Sequence, residues 1–462
     1  MAGIDGNYLR NIRTNYGWSE NEAAKILECQ KTQIIKYEKA NPGKPLETDH
    51  AERLIKKIAC EEQAHTHETK DILEKMLHEM RGEPHSFSPN KILCHMDVVR
   101  QVLDETEQWN VWPFLVEIHL TNACSHACPG CTFREIQRNT ALKSHQLCED
   151  KIFALLDQLR EGGTRAIFWS GGGDPLMYPA AMKVFDRAAK LGFRQILITN
   201  GSCLNPDYAP FLIKNFSCIR VSLDAQTHTT FARMHGIGPN EAFSEFNTIQ
   251  NNIRKLVDQF NRSTKEDRHP DINEVGIGVS FLLHEANKDE IIGFCTLARD
   301  GLGVRFAEIK PIVHERNETN DAMVRKLVSE EVAASLRYVR QHVERKSPSV
   351  FRVFTLEQKF LDMLSESYGK NWDHCWGHPL YPAIAADGGV YPCCLMIGKA
   401  DLCYGDVNEQ SFADIWNSNA RKEAVKQIVA PLCPINCKLS ETNRALEIVH
   451  RANALPLRDY LN

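Results

Sequence analysis

Apolar and polar positions change period twice along the 462-residue chain. From about residue 112, short runs rich in β-branched and aromatic residues alternate with helix-length amphipathic segments. Strands are expected at 114–120, 166–169, 195–199, 219–223, 275–283 and 304–309. Six strands, each followed by a helical segment, predict an α/β fold: a partial (β/α)6 TIM-like barrel whose ligands sit at the carboxyl ends of the strands. Residues 7–60 instead read as short helices (7–16, 19–27, 31–39 and 48–59). Ser19 and Glu22 are spaced as a capping box, and Asn41-Pro42-Gly43 breaks the run. Polar helical segments continue to 108, 323–368 reads as helical, and 371–437 returns to short strands and turns. The expected divisions are an N-terminal all-α domain at 1–66, a helical linker at 67–111, the barrel at 112–322, a second helical linker at 323–370, and a small α+β module at 371–462.

Composition narrows the class. With 43% hydrophobic and 25% charged residues the chain is that of a globular protein, and a net charge of -5 argues against general binding to nucleic acid or anionic membranes. No window is apolar for long enough to span a bilayer, so no membrane contact is expected and the cytoplasm is the expected location. Sixteen cysteines are many for a reducing compartment, where clustered cysteines more often bind metal than form disulfides. Seven of them (29, 60, 94, 148, 203, 218 and 295) are scattered. The others, apart from Cys403, form a loop group at 124, 128 and 131 and a C-terminal group at 375, 393/394 and 433/437.

Cys124-Ser-His-Ala-Cys128-Pro-Gly-Cys131 directly follows the first expected strand. Three thiolates on one loop suit a 4Fe–4S cluster whose fourth iron stays open to a small molecule. A zinc site with His126 as fourth ligand is the alternative. The CxxxCxxC loop, with the segments that follow it, resembles the radical S-adenosylmethionine superfamily. Ser170-Gly171-Gly172-Gly173-Asp174-Pro175 is similar to that family's glycine-rich segment, although the commonest form has Glu at position 174 and an aromatic residue where this chain has Gly130. The resemblance implies that Gly171, Gly172, Gly173 and Asp174 receive the amino group of S-adenosylmethionine. It also implies that Thr199, Asn200, Ser222 and Asp224 take its ribose and carboxylate, and that Gly276 and Gly278 support its adenine. It further implies reductive cleavage to a 5'-deoxyadenosyl radical, with electrons from a partner such as flavodoxin or ferredoxin.

Cys375, Cys393, Cys433 and Cys437 follow the pattern C-x12-G-x4-C, then C-x3-C, and a turn at Asp387-Gly388-Gly389 would fold the first pair together. The set resembles the SPASM and twitch modules, in the one-cluster twitch form, leaving Cys394 and Cys403 spare. A four-cysteine zinc ribbon is the alternative. Residues 7–59 resemble the Xre-type helix-turn-helix, with Gln33 and Lys36 on the recognition helix as candidates for DNA contact. Residues 1–60 carry 10 Lys/Arg against 8 Asp/Glu, however, and docking of a protein or substrate is an equal reading. His228, His235, His284 and Lys310 fall near strand ends, as structural residues or proton handlers. The expected function is hydrogen abstraction from a small polar substrate of sugar or aminocyclitol type, with net oxidation. The alternatives are a peptide-modifying enzyme and a DNA-binding iron–sulfur regulator.

Overall fold

The computed structural model describes residues 19–32, 92, 95–104, 106–273, 276–312, 327, 329–344, 350–355, 372, 374–428, 433 and 437–453. The chain divides into two units, 1–74 and 75–462. In the first, the helix Glu20–Ile26 begins on the expected capping box. Ser19 Oγ accepts from the Glu22 amide at 3.2 Å, and Glu22 Oε2 accepts from the Ser19 amide at 2.6 Å. Ala23, Ala24 and Leu27 turn inward. Most of the expected helix-turn-helix, including Gln33 and Lys36, lies outside the described residues.

In the second unit the six expected strands form, as β1 (Leu115–His119), β2 (Ala166–Ser170), β3 (Arg194–Thr199), β4 (Cys218–Ser222), β5 (Gly276–Leu283) and β6 (Phe306–Pro311). They pair in parallel in that order. Helices such as Glu149–Glu161 and Ala181–Lys190 cross between them. One expectation needs correction: the segment 323–370 is not wholly helical, because β7 (Arg352–Thr355) adds a seventh parallel strand beside β6. The C-terminal residues form β8 (Ala383–Ile384), β9 (Gly389–Tyr391) and β10 (Gly405–Asp406). The hairpin of β8 and β9 matches the expected turn. The sequence did not indicate that β8 also pairs in parallel with β1, which makes one ten-stranded sheet in the order β10-β9-β8-β1-β2-β3-β4-β5-β6-β7.

Register sorts the strand residues onto two faces. Val116, Ile118, Trp169, Leu197, Val221 and Phe281 lie on one face and are fully buried. They pack beneath the helices: Trp169 meets Phe185 with ring centroids 5.1 Å apart, and Phe281 meets Phe294 at 4.6 Å. Each such side chain contributes about 1.5–3 kcal/mol of burial, which fixes this face as the core. The opposite, concave face carries Glu117, His119, Ser170, Arg220, Ser222, Ser280, Glu308 and Lys310 in matched register. The same face also carries an apolar cluster of Ile196, Cys218, Phe306 and Phe354, so its polar groups form one part of a mixed inner wall.

Candidate active site

The loop after β1 carries Cys124, Cys128 and Cys131, and the chain clamps it from two sides. On one side lies the glycine segment after β2. The Gly172 amide donates to His119 Nδ1 at 3.2 Å, the Gly173 amide to Thr121 O at 3.1 Å, and the Asp174 amide to Ala123 O at 2.8 Å. A Cβ on Gly173 would lie 2.1 Å from Ala123 O, so only glycine lets the two backbones approach this closely there, while one on Gly172 would press on the Asn122 side chain at 2.3 Å. On the other side, the helix His228–His235 ends in Gly236 at φ +62, and the Ala127 amide donates to His235 O at 3.1 Å.

Burial pushes the Cys124 thiol up to about 11, with the charges of Asp174 and Cys131 adding to the rise. It raises Cys128 and Cys131 as well, and both other loop thiols add to the rise at Cys128. Three half-buried thiols that resist ionisation side by side need a shared cation to become thiolates, and a metal cluster supplies one. Two donors already face these sulfurs: Asn200 Nδ2 lies 3.6 Å from Cys124 Sγ, and the Phe133 amide 3.3 Å from Cys131 Sγ.

His126 faces away from Cys124 and Cys131. Its Nδ1 lies 3.0 Å from His235 Nδ1, and its Nε2 lies 3.4 Å from Glu245. His235 Nε2 donates to Leu223 O at 3.2 Å, which leaves its Nδ1 as the acceptor, 3.7 Å from Cys128 Sγ. Among the described residues, the group gathered within reach of a single ion is His126, Cys128 and His235, which takes in one loop cysteine only. A zinc set of all three loop cysteines with His126 is therefore not assembled. Burial holds both histidines down to about 4. The His126/His235 pair was not legible in the sequence, where the one available hint was a glycine directly after a histidine at a helix end.

The remaining expected ligand residues divide. Asp174 is fully engaged within the chain: Oδ1 accepts from the Leu176 amide at 2.9 Å, and Oδ2 accepts from Thr199 Oγ1 at 2.8 Å and the Asn200 amide at 2.6 Å. It braces the glycine segment against the end of β3. Gly172 O is taken by Gln137. Asp224, at φ +53, accepts from the Leu282 amide at 2.7 Å, and burial pushes its carboxyl up to about 6. Ser222 lies on the inner face beside Ser280. Gly276 and Gly278 do not join this group. Gly276 starts β5 at the end away from the loop, at φ +85 and against the Arg305 side chain, while the Phe306 ring occupies the space beside Gly278. His284 caps its own turn by accepting from the Ala286 amide at 3.0 Å, His228 sits edge-on to Phe243, and Lys310 lies 3.8 Å from Glu308.

In the C-terminal module, Cys375, Cys393, Cys433 and Cys437 converge. Cys433 hydrogen-bonds Cys437, and Cys375 and Cys393 are near enough to push the Cys437 thiol further up. Burial, and then Cys433, raises Cys375 to about 12. The helix Ser440–Asn453 clamps the Cys375 turn: Asn443 Nδ2 reaches Cys375 Sγ at 3.6 Å, Asn443 Oδ1 accepts from the Gly377 amide at 2.7 Å, and Trp376 Nε1 donates to Glu447 at 2.7 Å. The spare thiols point elsewhere, Cys403 to Gly405 O at 3.4 Å and Cys394 toward Glu117 and Lys438.

Residues 118–259 match the radical SAM superfamily, and residues 375–438 match the SPASM iron-sulfur cluster-binding domain. The chain is a radical S-adenosylmethionine enzyme. An AdoMet-dependent heme synthase of Methanosarcina barkeri is similar at 23% identity over 66% of this enzyme and 82% of the relative. An S-adenosylmethionine-dependent nucleotide dehydratase of Flammeovirga pacifica is 30% identical, but over only 25% of this enzyme and 40% of the relative. Streptococcus suis SuiB bound to the precursor peptide SuiA shares the fold, with a TM-score of 0.50 and 14% identity over 75% of this enzyme and 74% of that chain. The radical S-adenosylmethionine enzyme therefore uses a 4Fe–4S cluster and S-adenosylmethionine, with further iron–sulfur binding in its C-terminal domain. Among the described residues, no helix is long and apolar enough to cross a membrane.

Proposed function

We propose that this enzyme abstracts hydrogen from a small, polar, hydroxylated substrate of sugar or aminocyclitol type and carries out a net oxidation. In this reading Cys124, Cys128 and Cys131 hold the catalytic cluster, and Cys375, Cys393, Cys433 and Cys437 hold one auxiliary cluster. The observation that supports the substrate class is the set of charged and hydroxyl side chains on the inner face, Glu117, Ser170, Arg220, Ser280 and Glu308, in register beside an apolar patch of Ile196, Cys218, Phe306 and Phe354. Such a mixed lining orients a ligand by a few placed polar groups.

When bound, the loop cluster and S-adenosylmethionine supply one-electron cleavage to methionine and a 5'-deoxyadenosyl radical. The chain's own residues position that chemistry. Asn200 and the Phe133 amide donate to the sulfurs of Cys124 and Cys131 and stabilise them as thiolates. Asp174 fixes Asn200 by accepting from its amide. Asp224, anchored on Leu282, faces the carboxyl end of the barrel, and its oxygens suit a ribose diol. The electron comes from a small reductant protein of the flavodoxin or ferredoxin class.

The test is anaerobic reconstitution of the full chain, followed by mass spectrometry of 5'-deoxyadenosine formed with sugars and aminocyclitols deuterated on their carbinol carbons. Deuterium in 5'-deoxyadenosine with one such substrate, lost in Cys124→Ala, is the expected result. Failure to cleave S-adenosylmethionine under strong reductant, or label transfer from a peptide alone, overturns the reading.

A further inference from the structure

The C-terminal module holds a buried arginine that, among the described residues, has no carboxylate counterion, and it reaches the cysteines through His378, whose amide donates to Cys375 O at 3.4 Å. Arg421, on the helix Asn419–Lys426, is 1% exposed. Its Nη1 donates to Trp109 O at 3.0 Å and to Trp416 O at 2.7 Å, and its guanidinium lies 3.8 Å from the Trp416 ring centroid. Its Nε and Nη2 have no partner, and among the described residues no carboxylate pairs with it. Two neighbours share this condition. The Tyr404 hydroxyl and both ring nitrogens of His378 are buried and unpartnered. Arg421 is close enough to act on Tyr404 and His378, and Cys375 and Cys393 are close enough to act on Tyr404.

Buried polar groups are nearly always paired, and a cluster of orphans points to a missing acceptor. Water would satisfy the tyrosine and the histidine. It would not neutralise an arginine, because burying an unpaired charge is far costlier than burying an unpaired hydroxyl. Four thiolates around an iron–sulfur cube carry net negative charge and present sulfurs as acceptors, which answers both needs. We propose that Arg421, assisted by Tyr404 and His378, is the electrostatic partner of the auxiliary cluster and raises its reduction potential by stabilising the added electron. The two tryptophans and the two carbonyls hold the guanidinium in place for that role. The inference rests on the reading that Cys375, Cys393, Cys433 and Cys437 bind the cluster.

The test is a redox titration, followed by electron paramagnetic resonance, of the full chain carrying Cys124→Ala, Cys128→Ala and Cys131→Ala, so that the auxiliary cluster alone is seen. Arg421→Met is expected to disfavour reduction about tenfold, which is about 59 mV toward negative potential for one electron. Tyr404→Phe is expected to shift it the same way by less, and Arg421→Lys to stay close to the parent. Unchanged potentials in Arg421→Met and Tyr404→Phe, with iron and sulfide content intact, overturn the inference and leave the cluster assignment standing. If Arg421→Met does not fold, an unmoved Tyr404→Phe overturns it alone. Zinc in place of iron and sulfide at this site in the parent chain overturns both.

Discussion

Glu117 on β1 accepts a hydrogen bond at 2.8 Å from Lys438, the residue that follows Cys437. Its second oxygen lies 3.2 Å from His119 Nε2, and His119 Nδ1 in turn accepts from the Gly172 amide. A continuous line of hydrogen bonds thus runs from the glycine segment at the cysteine loop to Lys438, the chain neighbour of Cys437.

Lys438→Met leaves the Glu117 carboxylate, 1% exposed, without its cation. Breaking a buried pair from one side costs about 3–5 kcal/mol, and the lower end is expected because the Lys438 side chain is 34% exposed. Burial alone would raise the Glu117 carboxyl, but Lys438 and His119 hold it well below the usual carboxylate range. Its contribution is therefore complete above the unfolded value of about 4.3 and is lost only as pH falls through the lower folded value. Urea melts should show the variant weaker at neutral pH and its deficit shrinking in acid.

Asp224 has the opposite sign. Its folded carboxyl titrates at about 6, above the unfolded value of about 3.9, so the folded chain binds this proton more tightly. Stability associated with it is full below about pH 4 and falls as pH rises toward 6 and beyond. Asp224→Asn should be less sensitive to pH across that window than the parent in paired denaturation curves.

Asp174→Ala removes the acceptor for two backbone amides and the Thr199 hydroxyl. A cost of about 1–3 kcal/mol follows from the orphaned donors. Because Asn200 loses its anchor beside Cys124, calorimetry should find S-adenosylmethionine bound about tenfold more weakly, with iron content unchanged.

Adjacent cysteines should separate cleanly. Cys393→Ala should lose the auxiliary iron, whereas Cys394→Ala should keep it, since the Cys394 thiol is engaged with Glu117 and Lys438. Iron and sulfide counts on anaerobically purified protein decide this, and equal loss in both variants would refute the assignment.

Gly236→Ala places a Cβ 2.3 Å from Ala127 O at a left-handed φ. The strain, on the order of 1–2 kcal/mol, falls on the cysteine loop. Visible absorbance should show the loop cluster depleted while the auxiliary cluster survives.

The sequence disclosed what depends on local pattern. Alternation and helix-length spacing revealed β1 to β6, because these signals are written within about a dozen residues, and cysteine spacing singled out the 124/128/131 loop and the C-terminal group as candidate iron ligands. β7 and β8 escaped notice because four and two residues are too short to show a period, and their strand character comes from partners already in the sheet. Gly276 and Gly278 were assigned to the adenine through the resemblance of their strand, although neighbouring side chains account for both. Contacts such as His126 with His235 and Glu117 with Lys438 join residues 109 and 321 positions apart, beyond the reach of any local pattern.

The pairing of β8 with β1 joins the two cysteine groups through one continuous sheet. Cys393 follows β9 on that extension of the sheet, so an electron passed between clusters held at the two cysteine groups would cross a hydrogen-bonded sheet. Transfer between the centres should then proceed at a constant rate through the catalytic cycle, with turnover governed by how substrate enters and leaves the concave face.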